Sequence, residues 1–391
     1  MHRAREGSPL EVLLVFFKLG LTCFGGPIAH IGYFREEFVA RRRWLSEQAY
    51  ADLVGLCQFL PGPASSQVGF TLGLMRAGAV GGLAAWTGFT LPSAALMALF
   101  AYGANLLGGP AGAGLLHGLK LVAVAIVAQA VSGMARTLCP DRERASIAAA
   151  ATLIVLFGAS SLGQIAAILA GGVCGLWLCR DERQAASGQT PSPVSRRAGL
   201  TALALALALL AGLPILRGLG LWPGIALFEA FYRSGALVFG GGHVVLPLLR
   251  EAFVAPGWLG DDAFLAGYGA AQALPGPLFA FAAYLGAVVN IAPHGLAGAT
   301  LGLIGIFLPG LLLLTAALPF WESFRTRPGA RRVMAGVNAA VVGLLAAALY
   351  NPVWTSSVKS PADFAVALTG FTLLTAWRAP PLAVVALGAL C

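Results

Sequence analysis

Two six-residue stretches, Gln58-Phe59-Leu60-Pro61-Gly62-Pro63 and Gln272-Ala273-Leu274-Pro275-Gly276-Pro277, differ at a single position. Each follows a second shared signal, Phe24-Gly25-Gly26-Pro27 in one case and Phe239-Gly240-Gly241-Gly242-His243 in the other. The two Phe residues are 215 positions apart, from 24 to 239, and the two Pro-Gly-Pro turns are 214 apart, from 61 to 275. A basic residue, Lys18 or Arg233, precedes each Phe by six positions, and Arg35-Glu36 recurs as Arg250-Glu251. The chain is therefore an internal duplication. Proline has no amide hydrogen and glycine lowers helix propensity, so each repeat must contain two matched interruptions of helix.

The duplication is written in apolar residues. Of 391 residues, 58% are hydrophobic and 10% charged, and the mean hydropathy is +0.81. A soluble domain carries about 25% charge. The fold class that follows is an all-α polytopic membrane protein: two homologous halves in inverted orientation, with discontinuous or re-entrant helices. The net charge of +9 is not a nucleic-acid signal, because the arginines sit mainly in short loops between apolar segments. The cysteines, Cys23, Cys57, Cys139, Cys174, Cys179 and Cys391, form no C-x-x-C pair and no zinc spacing, so neither a metal site nor a cofactor is expected. The basic start and the apolar run after it resemble a signal peptide. Lys18 interrupts that run, however, and the segment matches the start of the second half, so it reads as part of the repeat.

Residues 1–180 form the N-terminal membrane repeat, 181–198 a polar cytoplasmic linker, 199–222 a joining span, and 223–391 the C-terminal repeat, inverted. Within the first repeat, breaks are expected at Gly25–Pro27 and Pro61–Pro63. A full span is expected over 77–101, a Gly-rich loop over 103–117, a span over 119–138 and two short spans within 147–178. The second repeat follows the same order: breaks at Gly240–Gly242 and Pro275–Pro277, spans over 295–320 and 333–349, loops over 322–332 and 351–361, and two short apolar segments within 363–391.

Loop charges carry the orientation. The segment 34–48 holds Arg35, Arg41, Arg42 and Arg43, whereas its partner 250–262 has one Arg and three acids. The segment 103–117 has no Lys or Arg, but its partner carries Arg325, Arg327, Arg331 and Arg332. Arg136, Arg142 and Arg144 face only Lys359. Every matched pair reverses its bias. Lys/Arg-rich short loops stay cytoplasmic, so the halves should insert upside down relative to each other, and the single joining span permits this.

In hydrocarbon a broken helix leaves amides and carbonyls that need partners. Half-helix N-termini suit an anion, and glycine lets a ligand approach the backbone. The substrate-binding candidates are therefore Lys18, Gly25, Gly26, Pro27, Gln58, Pro61, Gly62 and Pro63 in the first repeat. In the second they are Arg233, Gly240, Gly241, Gly242, His243, Gln272, Pro275, Gly276 and Pro277. The plainer alternative for the glycines is close helix packing, and for Lys18 it is snorkelling to the headgroups. Glu229 lies four residues before Arg233, so that pair also reads as a helix-face salt bridge. His30, Asp52 and Glu229 are the proton-coupling candidates; for His30 the competing role is to cap or line the break.

These combined motifs resemble the chromate transporter family in its long form, with two homologous halves fused. The resemblance covers nearly the whole chain. It implies a multi-pass protein of the cell inner membrane that exports chromate and confers resistance, with sulfate as competitor, membrane lipids around it, no nucleic-acid partner, and a homodimer as one expected assembly. Apart from the variable position Phe59/Ala273, the departure between the matched motifs is that Pro27 is replaced by Gly242 in the second half. Chromate and sulfate are both tetrahedral dianions, and the residues alone do not choose between them. Membrane potential and proton coupling both remain open as driving forces, while the absence of G-x-x-x-x-G-K-[ST] argues against ATP-driven pumping by this chain. The competing classes are a transporter of another small anion, an intramembrane enzyme, and a non-transporting structural subunit. No H-E-x-x-H or G-x-S-x-G occurs, so an enzyme is the weaker reading.

Overall fold

The computed structural model describes residues 7–23, 26–104, 110–157, 161–179, 192–239, 244–321 and 327–388, and among these there is no β-strand. The principal helices are α1 (Pro9–Thr22), α2 (Gly26–Arg35), α3 (Glu47–Phe59), α4 (Ala64–Ala104), α5 (Pro110–Leu138), α6 (Arg142–Phe157), α7 (Ser161–Leu178) and α8 (Arg196–Gly218). They continue with α9 (Pro223–Ala236), α10 (Val245–Phe253), α11 (Asp261–Ala273), α12 (Phe281–Val288), α13 (Gly295–Ala317), α14 (Pro328–Ala348), α15 (Pro361–Thr375) and α16 (Pro381–Gly388). Local chemistry sets many starts. Ser8, Ser46, Ser195 and Ser360 cap α1, α3, α8 and α15 through their side-chain oxygens, and Pro9, Pro223 and Pro361 occupy first-turn positions where no amide is missed.

The interruptions expected in each repeat coincide with helix ends. α1 ends at Thr22 and Gly26-Pro27 open α2, and Pro61-Gly62-Pro63 separates α3 from α4. In the second repeat α9 and α10 flank residues 240–243, which lie outside the described residues, and Pro275-Gly276-Pro277 separates α11 from a 3-10 turn and α12. The 41 residues of α4 are not one straight rod. Ala77 and Gly78 leave helical geometry, and a Cβ on Gly73 would stand 2.2 Å from the Gly81 carbonyl oxygen. Residues eight apart on a straight helix are about 12 Å apart along its axis, so the chain folds back on itself at 77–78. The first limb (64–76) and the second (79–104) form a tight hairpin. α12 and α13 repeat this hairpin, with Gly286 against Gly298, across a longer connection.

Three loops are shorter than the sequence suggested. α5 already begins at Pro110, so 110–117 is helical; proline at its first position supplies a start that outweighs the glycines. α14 likewise starts at Pro328 and takes in Arg331 and Arg332. Within 351–361 the chain continues as a π-helical turn (Leu349–Trp354) and one further helical turn (Thr355–Ser357).

Five helices among the described residues are long and apolar enough to cross a membrane: Ala64–Gly103 (the hairpin), His117–Arg136, Arg196–Gly218, Gly295–Phe320 and Arg331–Asn351. Phe157 and Trp177, each 83% exposed, suit a lipid environment and not water. The chain is a multi-pass helical membrane protein.

Two compact units cut across the repeats. The first comprises Met1–Leu99, Ala185–Gly242 and Leu274–Glu322. In it α13 packs on α8, α9 and α12, and Tyr232 on α9 donates to the Ala206 carbonyl on α8 at 3.0 Å. The second comprises Phe100–Gln184, His243–Ala273 and Ser323–Cys391. There α5 of the first repeat packs on α15 and α16 of the second, while α14 of the second packs on α6 and α7 of the first. Small residues permit the close approach: Gly336 lies against Gly171 and Gly175, and Gly370 against Ala125. Each unit thus contains helices of both repeats, though α2 and α3 lie in the first unit and their counterparts α10 and α11 in the second.

Candidate functional site

The two Pro-Gly-Pro turns meet the opposite repeat within the first unit. Gly62 donates its amide to the Val238 carbonyl at 2.7 Å, and Gly276 donates to the Cys23 carbonyl at 2.8 Å. Val238 immediately precedes the second Phe-Gly-Gly, and Cys23 the first. One carbonyl just past the end of each half-helix is therefore satisfied by the turn of the other repeat, which is the reciprocity of a two-fold relation. Both turn glycines have positive φ, +116° at Gly62 and +92° at Gly276. A Cβ on Gly62 would stand 2.9 Å from the Gly310 Cα, and one on Gly276 would stand 2.9 Å from Ser93 Oγ. Gly310 and Ser93 each follow a proline within a helix, Pro309 on α13 and Pro92 on α4, so this contact is also matched.

Side chains around the matched frame differ. After the first turn come Ala64-Ser65-Ser66-Gln67; after the second come Leu278-Phe279-Ala280-Phe281. Ser65, Ser66 and Gln67 are 2%, 2% and 0% exposed, and Leu278, Phe279, Ala280 and Phe281 are likewise buried. Gln67 Nε2 donates to the Pro61 carbonyl at 2.8 Å and to the Gly310 carbonyl at 3.0 Å, tying the turn to α13. His30, fully buried on α2, places Nδ1 3.3 Å from Ser65 Oγ and packs edge-on against Phe89. Its ring also interacts with the Cys23 carbonyl, the acceptor of the Gly276 amide. The residue matched to His30 at the 215-residue offset is Val245.

The hairpin register places these groups at one level. Gly73 meets Gly81, and Gly82 meets Phe70 and Leu74, so Ser65 and Ser66 on the first limb stand opposite residues 88–90 on the second. His30 checks that register independently, because it touches both Ser65 and Phe89. Thr90, 3% exposed, lies at this level. Ser66 Oγ, Thr90 Oγ1 and His30 Nε2 have no hydrogen-bond partner. Helical Thr residues elsewhere satisfy themselves: Thr71, Thr315 and Thr372 each donate to the carbonyl four residues back.

The other sequence candidates fall as follows. Gly26, with φ of +79°, and Pro27 open α2. Lys18 is exposed on α1, and Gln58 is exposed on α3. Arg233 lies 3.3 Å from Glu229, and Arg217 on α8 approaches the same carboxylate at 3.0 Å. Glu229, 3% exposed, thus sits between two guanidinium groups and locks the joining helix to α9. Gln272 interacts with Tyr268 one turn earlier on α11. Gly25, Gly240, Gly241, Gly242 and His243 lie outside the described residues, as does the side chain of Asp52. Among the described residues no group of three His, Cys, Asp or Glu side chains is placed to hold a metal ion. Ser65, Ser66, Gln67 and Thr90 were not among the sequence candidates. For the first three the signal was the polar Ser-Ser-Gln one residue after the first Pro-Gly-Pro, where the second has Phe-Ala-Phe.

A duplicated helical membrane protein with matched broken helices and buried, unpaired hydroxyls at one of them has the build of a transporter. The chain belongs to the chromate transporter family, whose model matches it twice, over residues 10–176 and 225–391. It is 28% identical over 375 residues to a chromate transport protein of Pseudomonas aeruginosa, covering 93% of this chain and 86% of that one. It is 25% identical over 378 residues to a chromate transport protein of Cupriavidus metallidurans, covering 96% and 90%. An uncharacterized transporter of Methanocaldococcus jannaschii is 24% identical, with 89% and 85% covered. No solved structure matches the chain. As a member of a transport family the protein is not an enzyme.

Proposed function

We propose that this protein is a secondary transporter that exports chromate across the inner membrane and so confers resistance. The observation that carries the reading is the duplicated helix break, each half satisfied by the other, inside a chain whose two repeats both match the chromate transporter model. The relatives named as chromate transport proteins supply the substrate. The chemistry agrees: at the first Pro-Gly-Pro break the unpaired side-chain atoms are the Ser66 and Thr90 hydroxyls, the His30 Nε2 and the Gln67 Oε1, with no carboxylate among them, and a helix begins there. Amide and hydroxyl donors at a helix N-terminus hold a tetrahedral dianion without a resident metal. Such donors hold sulfate as well, so sulfate is the expected competitor. An inside-negative potential favours leaving the cell by roughly 2.3 kcal/mol per charge per 100 mV, about twice that for a dianion. Membrane potential is therefore a sufficient driving force, with His30 the nearest described group for proton coupling.

The repeats are read as inverted in the membrane, on the reversed loop charges and the reciprocal bonds of Gly62 and Gly276. Reporters at Gly109 and Gly329 should then appear on opposite sides.

The function is tested by chromate uptake into everted vesicles carrying the full chain, under an imposed potential, with and without excess sulfate. Potential-dependent uptake suppressed by sulfate is the expected result. Uptake no greater than in vesicles lacking the chain, with the protein folded in the membrane, would overturn the reading.

A further inference from the structure

The matched turns raise the question of where along the duplication the substrate is held. Resting on the oxyanion reading above, we infer that the chain has one oxyanion site, at the start of α4 in the first repeat, formed by the Ser66 and Thr90 hydroxyls with Ser65 and the first-turn amides, and that the matched place in the second repeat is a hydrophobic plug.

Three observations lead there. The first-turn amides of α4 are free: the first helical bond after the Pro-Gly-Pro turn is Gln67 N–H to the Pro63 carbonyl, so residues 64–66 donate to nothing within the helix. Ser66 and Thr90 are almost completely buried, yet their hydroxyls pair with nothing. A buried hydroxyl without a partner is costly, and in a helix the carbonyl one turn back is normally available to it. Ser66 belongs to that first turn, and the hairpin register sets Thr90 on the other limb within about two residues of its level, so both unpaired donors stand at the height of the free amides. The imidazole of His30, held on Ser65, closes the same level from α2.

The second repeat provides the internal control. Its Pro-Gly-Pro turn likewise has a positive-φ glycine bonded across to the other repeat, but the chain then runs into a 3-10 turn, Leu278–Ala280, in which the Ala280 amide already donates to the Pro277 carbonyl at 2.9 Å. Ser65, Ser66 and Gln67 are replaced by Phe279, Ala280 and Phe281, and Thr90 by Phe307 at the hairpin offset that matches Pro92 to Pro309. Phe279 and Phe307 pack ring to ring at 5.6 Å. Aromatic rings fill the level at which the first repeat presents hydroxyls, and no dianion could be held there without leaving its charge unpaired.

The test is anion binding to the full-length protein purified in detergent, read as the thermal stabilisation produced by chromate and by sulfate, beside uptake by the same variants. Ser66→Ala and Thr90→Val should each weaken binding about tenfold or more, since each removes a hydrogen bond to a charged ligand. Without anion both variants should melt at the wild-type temperature or above it, because each removes an unpaired buried hydroxyl. Ala280→Ser, the matched change in the second repeat, should leave affinity within twofold. Wild-type affinity in both Ser66→Ala and Thr90→Val, or no binding of either anion by the wild-type protein, overturns the site. Binding that follows this pattern without transport would leave the site standing and remove the transport function instead.

Discussion

The Pro-Gly-Pro turn ahead of α4 and the one ahead of α12 are one turn made twice. Each lies in a Leu-Pro-Gly-Pro stretch, each holds its glycine in the left-handed region, and each gives that glycine's amide to a carbonyl of the opposite repeat. What differs is what fills them: Ser65, Ser66 and Gln67 in one, Phe279, Ala280 and Phe281 in the other. The backbone frame needs both repeats, because each turn satisfies an end the other leaves open. The chemistry needs only one. Duplication supplied a symmetric scaffold, and side-chain divergence made one copy polar and the other a packed wall.

The strongest way to break that comparison is to disturb the shared frame. Gly62→Ala and Gly276→Ala each force a side chain into positive φ and against the opposite repeat. Each should lower stability by about 2–3 kcal/mol and abolish uptake, to a similar degree in the two repeats. Thermal melting in detergent checks this, and tolerance at one glycine alone would mean that only one turn needs its bond. Next comes the difference in filling. Gln67→Leu removes the bonds to the Pro61 and Gly310 carbonyls and should cost about 1–3 kcal/mol. The matched Phe281→Leu, which only trims a buried ring, should cost about 1 kcal/mol. Equal losses would remove the polar–apolar distinction.

A smaller effect is expected at Glu229, whose matched residue in the first repeat, Leu14, carries no charge. Glu229→Gln leaves Arg217 and Arg233 side by side without their anion. Both arginines are partly exposed, so the loss is discounted to about 1–2 kcal/mol. Arg233→Gln leaves Glu229 its second arginine and should change chromate affinity little; a tenfold loss would return Arg233 to the substrate path.

The smallest effect lies outside the spans, in the turn between α5 and α6. Partial burial works to raise the Asp141 carboxyl, but the Arg144 backbone amide at 2.8 Å and guanidinium at 2.6 Å hold it below the ordinary carboxylate value. A depressed folded value means that its contribution is complete above the unfolded pKa of about 3.9 and is lost as pH falls through the folded one. Asp141→Asn should therefore shrink the fall in melting temperature between neutral pH and about pH 3. Superimposable acid profiles would show that the turn contributes nothing.

Much of this was legible in the chain. The duplication, the membrane class and the positions of the breaks follow from repeated Gly-Pro signals in apolar sequence, because those residues act on the backbone wherever they stand. The reversal at 77–78 was legible only as a boundary between spans; its tightness depends on Gly73 and Gly81 facing each other, which periodicity does not report. Lys18, Arg233 and Gln58 stood out as polar residues in apolar surroundings; in the fold Lys18 and Gln58 are exposed and Arg233 is paired with Glu229. Ser66 and Thr90 did not stand out, because serine and threonine usually bond their own helix. That these two do not is a property of the folded hairpin. The packing of one repeat's helices on the other's was likewise beyond reach, since sequence adjacency does not reveal that α5 packs on α15 and α16, or α14 on α6 and α7.

The most direct measurement is chromate flux into liposomes containing only the purified chain, wild type beside the double variant Ser65→Ala/Ser66→Ala, at equal inserted protein. The wild type should move chromate in a sulfate-inhibited manner, and the double variant should move at most about a tenth as much, two hydroxyl donors to the anion having been removed. Equal flux in the two would contradict the claim that the first repeat alone carries the chemistry, and no flux from either would contradict the transport function itself.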